Sequence, residues 1–220
     1  METVDYSSIT ELNISGMGLV ELPDLTGYTN LIKLNCSNNK LRHLYTLPMN
    51  LIYLDCSGNE NIRLNNLPST ITTLKCNHCL LDNLDNLPNG ILEIYCKHNK
   101  LSSLDNLPAS LIFLDCGYND LLAIDYLPDC LIELYCNDNK LTSLDNLPSS
   151  LRILRCYGNN ISQLDNLPIN LSMLFCCFTP ITHLDNLPNG LIFLYCNEDV
   201  ILNNEPPSLK TIIYADNLIK

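Results

Sequence analysis

From Leu31 onward the sequence repeats itself every twenty residues, and this periodicity limits the fold more than any other feature of the chain. Position 1 of nine successive rows is Leu31, Leu51, Ile71, Ile91, Leu111, Leu131, Leu151, Leu171 and Leu191. Position 4 is Leu34, Leu54, Leu74, Ile94, Leu114, Leu134, Leu154, Leu174 and Leu194. Position 6 is always cysteine: Cys36, Cys56, Cys76, Cys96, Cys116, Cys136, Cys156, Cys176 and Cys196. Position 9 is Asn39, Asn59, Asn99, Asn119, Asn139 and Asn159, interrupted by Cys79, Thr179 and Asp199. Positions 11, 14 and 17 are Leu or Ile in most rows, and Pro follows at position 18.

Each position has a physical role. Positions 4 and 6 alternate on a short strand, so both point inward. The position 6 thiol acts as a small apolar filler. The position 9 Asn stands where the chain leaves the strand, and its amide is expected to bond the loop backbone of its own and the next coil. Positions 11, 14 and 17 fill the rest of the interior. Proline fixes φ and blocks a regular helix, which predicts an extended or 3₁₀-like return leg. Strands then stack in parallel at about 4.8 Å, one per coil.

The unit L-x-x-L-x-C-x-x-N-x-L-x-x-L-D-N-L-P-x-x resembles the leucine-rich-repeat family, in particular its short L-P-x-x-L type, found in bacterial type III effectors and in repeat proteins of giant DNA viruses. The match covers about residues 9–218. The resemblance implies a leucine-rich-repeat solenoid of the α/β horseshoe class. Short parallel strands line its concave face, with extended or 3₁₀ segments and few or no helices on the convex face. One domain is expected over 1–220. Within it lie an atypical first repeat at 9–30, eight twenty-residue repeats at 31–190, a shortened repeat at 191–208 and a partial repeat at 209–220. In the last of these Leu209, Ile212, Tyr214 and Asn217 take the repeat's usual places. Few residues precede the first row and no clear polar cap follows the last, so thinly closed ends are expected.

In this family positions 3, 5, 7 and 8 face the concave surface. In the early rows they are mostly polar or small: Lys33, Asn35, Ser37, Asn38, Asp55, Ser57, Thr73, Lys75 and Asn77, with Tyr53 the exception. Later rows carry Tyr95, Phe113, Tyr118, Tyr135, Ile153, Arg155, Tyr157, Met173, Phe175, Phe178, Phe193 and Tyr195. Large apolar patches and the pairing of aromatics with Arg mark binding surfaces. The expected partner site is therefore Tyr95, Phe113, Tyr118, Tyr135, Arg155, Tyr157, Phe175, Phe178, Phe193 and Tyr195. Asp115, Glu133, Asp138, Glu198 and Arg155 would supply a polar rim. The alternative is cross-strand stacking that only stabilises the sheet.

A formal net charge of −12 and a pI of about 4.5 argue against nucleic acid and anionic membrane as partners. The segment Met1 to Tyr6 lacks the basic and apolar regions of a signal peptide, and no apolar run approaches a membrane span. A cytoplasmic protein with reduced thiols is expected. Adjacent coils bring the position 6 cysteines near disulfide range, but side chains pointing in parallel into a core favour buried thiols. Cys79, Cys130 and Cys177 lie outside the column and are expected to be the more reactive ones. His78 and His98, with Cys79 nearby, offer a zinc reading, yet inward Cys76 and outward His78 do not converge. Asp85, Asp105, Asp125, Asp145, Asp165 and Asp185 repeat at position 15. They are expected to accept backbone N–H groups in the turn, with calcium the alternative. No catalytic or nucleotide-binding motif is present, and no cofactor is implied. The reading is a non-enzymatic module that binds a protein partner on its concave face. A structural solenoid with weak end-to-end self-association is the alternative.

Overall fold

The computed structural model describes residues 6–215. Strands form where the pattern places an inward leucine between two half-covered neighbours, at positions 3 to 5 of each row. They are β1 (Glu11–Asn13), β2 (Lys33–Asn35), β3 (Tyr53–Asp55), β4 (Thr73–Lys75), β5 (Glu93–Tyr95), β6 (Phe113–Asp115), β7 (Glu133–Tyr135), β8 (Ile153–Arg155), β9 (Met173–Phe175), β10 (His183–Leu184), β11 (Phe193–Asn197), β12 (Ile201–Leu202) and β13 (Thr211–Ala215). Eleven of them form one parallel sheet in chain order, and β10 pairs with β12 on the outer side. Leu34 pairs with Leu54 and Leu54 with Leu74, so one coil advances the register by one row. At the start Leu12 pairs with Leu34, and at the end Leu194 pairs with Ile212. No helix occurs among the described residues.

The interior is a single apolar column. Leu34, Leu54, Leu74, Ile94, Leu114, Leu134, Leu154, Leu174 and Leu194 are fully buried, and the nine position 6 cysteines stand beside them. Each such leucine contributes about 2 kcal/mol by leaving water. The return leg is held by a tight turn: Leu51 N–H donates to the Pro48 carbonyl at 3.2 Å, and Leu131 N–H to Pro128 at 3.0 Å. Thus L-P-x-x-L is itself the turn, with Pro fixing its first corner.

The Asn column links each coil to the one before it, which corrects the expected direction. Asn119 Nδ2 donates to the carbonyls of Cys116 (3.0 Å), Gly117 (3.2 Å) and Cys96 of the preceding coil (3.1 Å). Its Oδ1 accepts Leu101 N–H, also from the preceding coil, at 3.0 Å. The reason is geometric: the amide points back across the strand's C-terminal end, where the previous coil leaves Leu101 N–H unpaired and the Cys96 carbonyl, already bonded by Asn99, with a second lone pair open. Where Asn is missing, substitutes appear. Cys79 Sγ reaches the Cys56 carbonyl at 3.4 Å, Thr179 Oγ1 the Cys176 carbonyl at 2.6 Å, and Asn197 bonds Thr179 O and Phe178 N.

Two further expectations are corrected. Tyr214, paired with Cys196 in register, is exposed because no described coil covers it. Asn217 lies outside the described residues. The position 15 carboxylates are exposed and cap no backbone N–H among the described residues; Asp185 accepts from Asn203 Nδ2. The Asp side chains are left to water because the turn carries them on the outer surface.

Candidate functional site

The strands turn positions 3 and 5 to the concave surface, where Tyr95, Phe113, Tyr135, Arg155, Phe175, Phe193 and Tyr195 are all half-buried. Position 7 behaves differently from expectation. Ser37, Gly117, Asn137, Cys177 and Asn197 are buried there, because the chain is already curling into the turn; Tyr157 stays half-buried. Position 8 is the exposed rim, carrying Tyr118 and Phe178 at 41% and 42% exposure.

Strand stacking brings most of the expected residues into one continuous series. Tyr95 and Phe113 lie 4.7 Å apart, and Phe113 meets Tyr135 edge-on at 5.1 Å. The Arg155 guanidinium stands 4.3 Å from the Tyr135 ring and 4.8 Å from the Phe175 ring. Phe175 then meets Phe193 at 5.0 Å and Tyr195 at 6.4 Å. Arg155 is therefore the middle of the series and not part of its rim. The series also reaches further back than an aromatic count reveals. Lys75 Nζ sits 4.8 Å from the Tyr95 ring and 5.6 Å from that of Tyr53. A Lys bridging two rings escapes a search for rings alone; the cation at position 5 was the available signal.

Electrostatics follow from this mutual cover. Burial pushes the Tyr95 hydroxyl up to about 12 and raises Tyr135, whose OH donates to Glu133 at 2.9 Å. Burial also raises Asp115 and Tyr157. A second stack runs along the rim: His78 on His98 and His98 on Tyr118, each at 4.3 Å, with Lys97 Nζ 4.8 Å from the Tyr118 ring. Burial, then the neighbouring His78, lowers His98, while Asp138 raises Tyr118.

The rim is built on strained backbone. Asn38, His78, His98, Tyr118, Asp138 and Phe178 have φ between 53° and 55°, and Gly58 and Gly158 occupy the same place. This left-handed conformation turns the chain off the strand and suits Gly and Asn; elsewhere a side chain costs about 1–2 kcal/mol. His78, His98, Tyr118 and Phe178 accept that cost.

Of the three cysteines expected to be reactive, only Cys130 is exposed. Cys79 replaces a ladder Asn, and Cys177 lies at the inward-curling position 7; both are buried. Hydrogen bonding from Cys56 lowers Cys79, whereas burial holds Cys177 up at about 11. Among the described residues no group of three or more His, Cys, Asp or Glu side chains gathers as a metal site.

Repeat, register and surface define a leucine-rich-repeat solenoid of the short type, with its likeness running to bacterial effectors. It is similar to YopM from Yersinia enterocolitica WA-314, with 33% identity over 89% of this chain and 43% of that chain, at a TM-score of 0.75. YopM from Yersinia pestis, described as a leucine-rich effector protein, shows 26% identity over 93% of this chain and 71% of that one, at 0.67. The functional domain of InlJ from Listeria monocytogenes, which includes a cysteine ladder, shows 25% identity over 91% and 45%, at 0.55. The chain thus spans less than half the length of the first and third of these. No protein-family model and no curated protein sequence matches the chain. No helix among the described residues is long and apolar enough to cross a membrane.

Proposed function

We propose that this chain is a non-enzymatic protein-interaction module that captures a protein partner on its concave face, with the aromatic C-terminal half as the hot spot. The observation that carries this reading is Phe178. A large apolar ring stands exposed on left-handed backbone, at a position where the preceding coils use Gly158 and Asp138 and the following coil Glu198. A sheet selected only for stability gains nothing there. Beside it lies the half-open series from Tyr95 to Tyr195, in which aromatics flank one Arg, the composition that dominates binding energy at interfaces. Likeness to proteins described as effectors agrees with a partner-binding role.

The test is capture from host-cell lysate read by mass spectrometry, with wild type beside Tyr135→Ala and Phe175→Ala. Both variants should lose the captured protein while keeping the wild-type circular dichroism. Unchanged capture by both would end the reading. Self-assembly has its own supporting feature, the edge strand β13, which exposes Ile213 and Tyr214. Light scattering that grows with concentration would favour it.

A further inference from the structure

We infer that Arg155 is the receptor for one side-chain carboxylate of the captured segment, so that the concave face selects an Asp or Glu flanked by apolar residues; this rests on the partner-binding reading above. Tyr135 and Phe175 cover both faces of the guanidinium, at 4.3 Å and 4.8 Å. Stacking satisfies the faces and leaves the in-plane N–H groups as the only part able to bond. Nε is buried with no acceptor, and among the described residues Arg155 forms no ion pair.

The neighbouring carboxylates are turned elsewhere. Asp115 accepts Gly117 N–H at 3.2 Å, Glu133 the Tyr135 hydroxyl at 2.9 Å, and Asp138 the Asn137 amide at 2.7 Å. A guanidinium with planar donors matches a carboxylate two-to-two, a geometry Lys cannot reproduce. From Phe113 to Glu198 no other Lys or Arg occupies a concave position. One carboxylate therefore has one place to go. A run of acids would meet Asp115, Glu133 and Asp138 instead, so the fitting segment carries a single acid. Its neighbours are apolar because the rings of Tyr135, Phe175 and Phe193 lie beside the guanidinium's slot.

The experiment is selection from a random twelve-residue peptide library, displayed with blocked C-termini, on the whole chain and on Arg155→Gln, Arg155→Lys and Tyr135→Ala. The wild type should enrich peptides with one Asp or Glu between apolar residues, and Arg155→Gln should not. Arg155→Lys should keep weak enrichment. The Asp→Asn version of a selected synthetic peptide should bind the wild-type protein at least about tenfold more weakly, which keeps the inference testable without any protein variant. Apolar peptides lacking an acid, enriched equally by wild type and Arg155→Gln but not by Tyr135→Ala, would overturn the carboxylate receptor and leave the partner-binding surface standing. Absence of any enriched peptide that depends on Tyr135 would overturn the carboxylate receptor as well and count against the surface itself.

Discussion

At Asn119 one carboxamide serves two coils. It gives both hydrogens to carbonyls and takes one N–H in return, all of them buried. A hydrogen bond contributes about 1 kcal/mol net, but a buried group left without a partner costs about 1–3 kcal/mol. Asn119→Ala strands Leu101 N–H and removes one of two donors from each of the Cys96 and Cys116 carbonyls, which Asn99 and Asn139 still bond. The expected loss is about 2 kcal/mol in urea unfolding, with an unchanged denaturant slope. A loss under about 1 kcal/mol would mean that water enters and replaces the amide. The substitutes at Cys79 and Thr179 obey the same demand: each brings a donor to the Cys carbonyl of its own or the preceding coil.

One element, the turn after each strand, separates stability from binding. Phe178 has a φ of 53° and is 42% exposed, so its ring returns little packing for the strain. Asn is at ease in this conformation. Phe178→Asn should therefore hold or raise the melting temperature, by up to about 1 kcal/mol of stability, while weakening partner capture. A clear drop in melting temperature would show that the ring packs after all. This turn also marks where the sequence stops being readable. Rows, register, inward leucines and the cysteine column follow from spacing alone, because a period-two strand within a twenty-residue coil leaves one arrangement. Backbone sign at position 8 does not: Gly58, Asn38 and Gly158 hint at it, but His78, Tyr118 and Phe178 disguise it. The site was legible as columns of residue types. That Lys75 joins Tyr53 to Tyr95, and that Arg155 lies between two rings, depends on side-chain rotamers that no spacing reports.

In the whole molecule the nine cysteines of the column and the adjoining Cys177 titrate together. Burial, or for Cys56 the hydrogen bond to Cys79, raises Cys36, Cys56, Cys76, Cys96, Cys116, Cys136, Cys156, Cys176, Cys177 and Cys196 above the ordinary value of 9.0; Cys36 reaches about 12 and Cys196 about 11. In the unfolded chain these thiols lose protons near pH 9, while the folded chain keeps them. The folded state then binds more protons, so stability is full below about pH 9 and falls as pH rises toward the folded values. Each thiol adds a slope of about 1.4 kcal/mol per pH unit. Ten acting together reach at most about 14 kcal/mol per unit, comparable to the stability of a whole domain. Coils touch only their neighbours, so there is no separate core to resist once one section opens. In reducing buffer the urea midpoint should stay level to about pH 9 and then collapse within about one unit. Cys116→Ala should soften that fall by one thiol's share. A midpoint that stays level to about pH 11 would show that the column does not stay protonated in the fold.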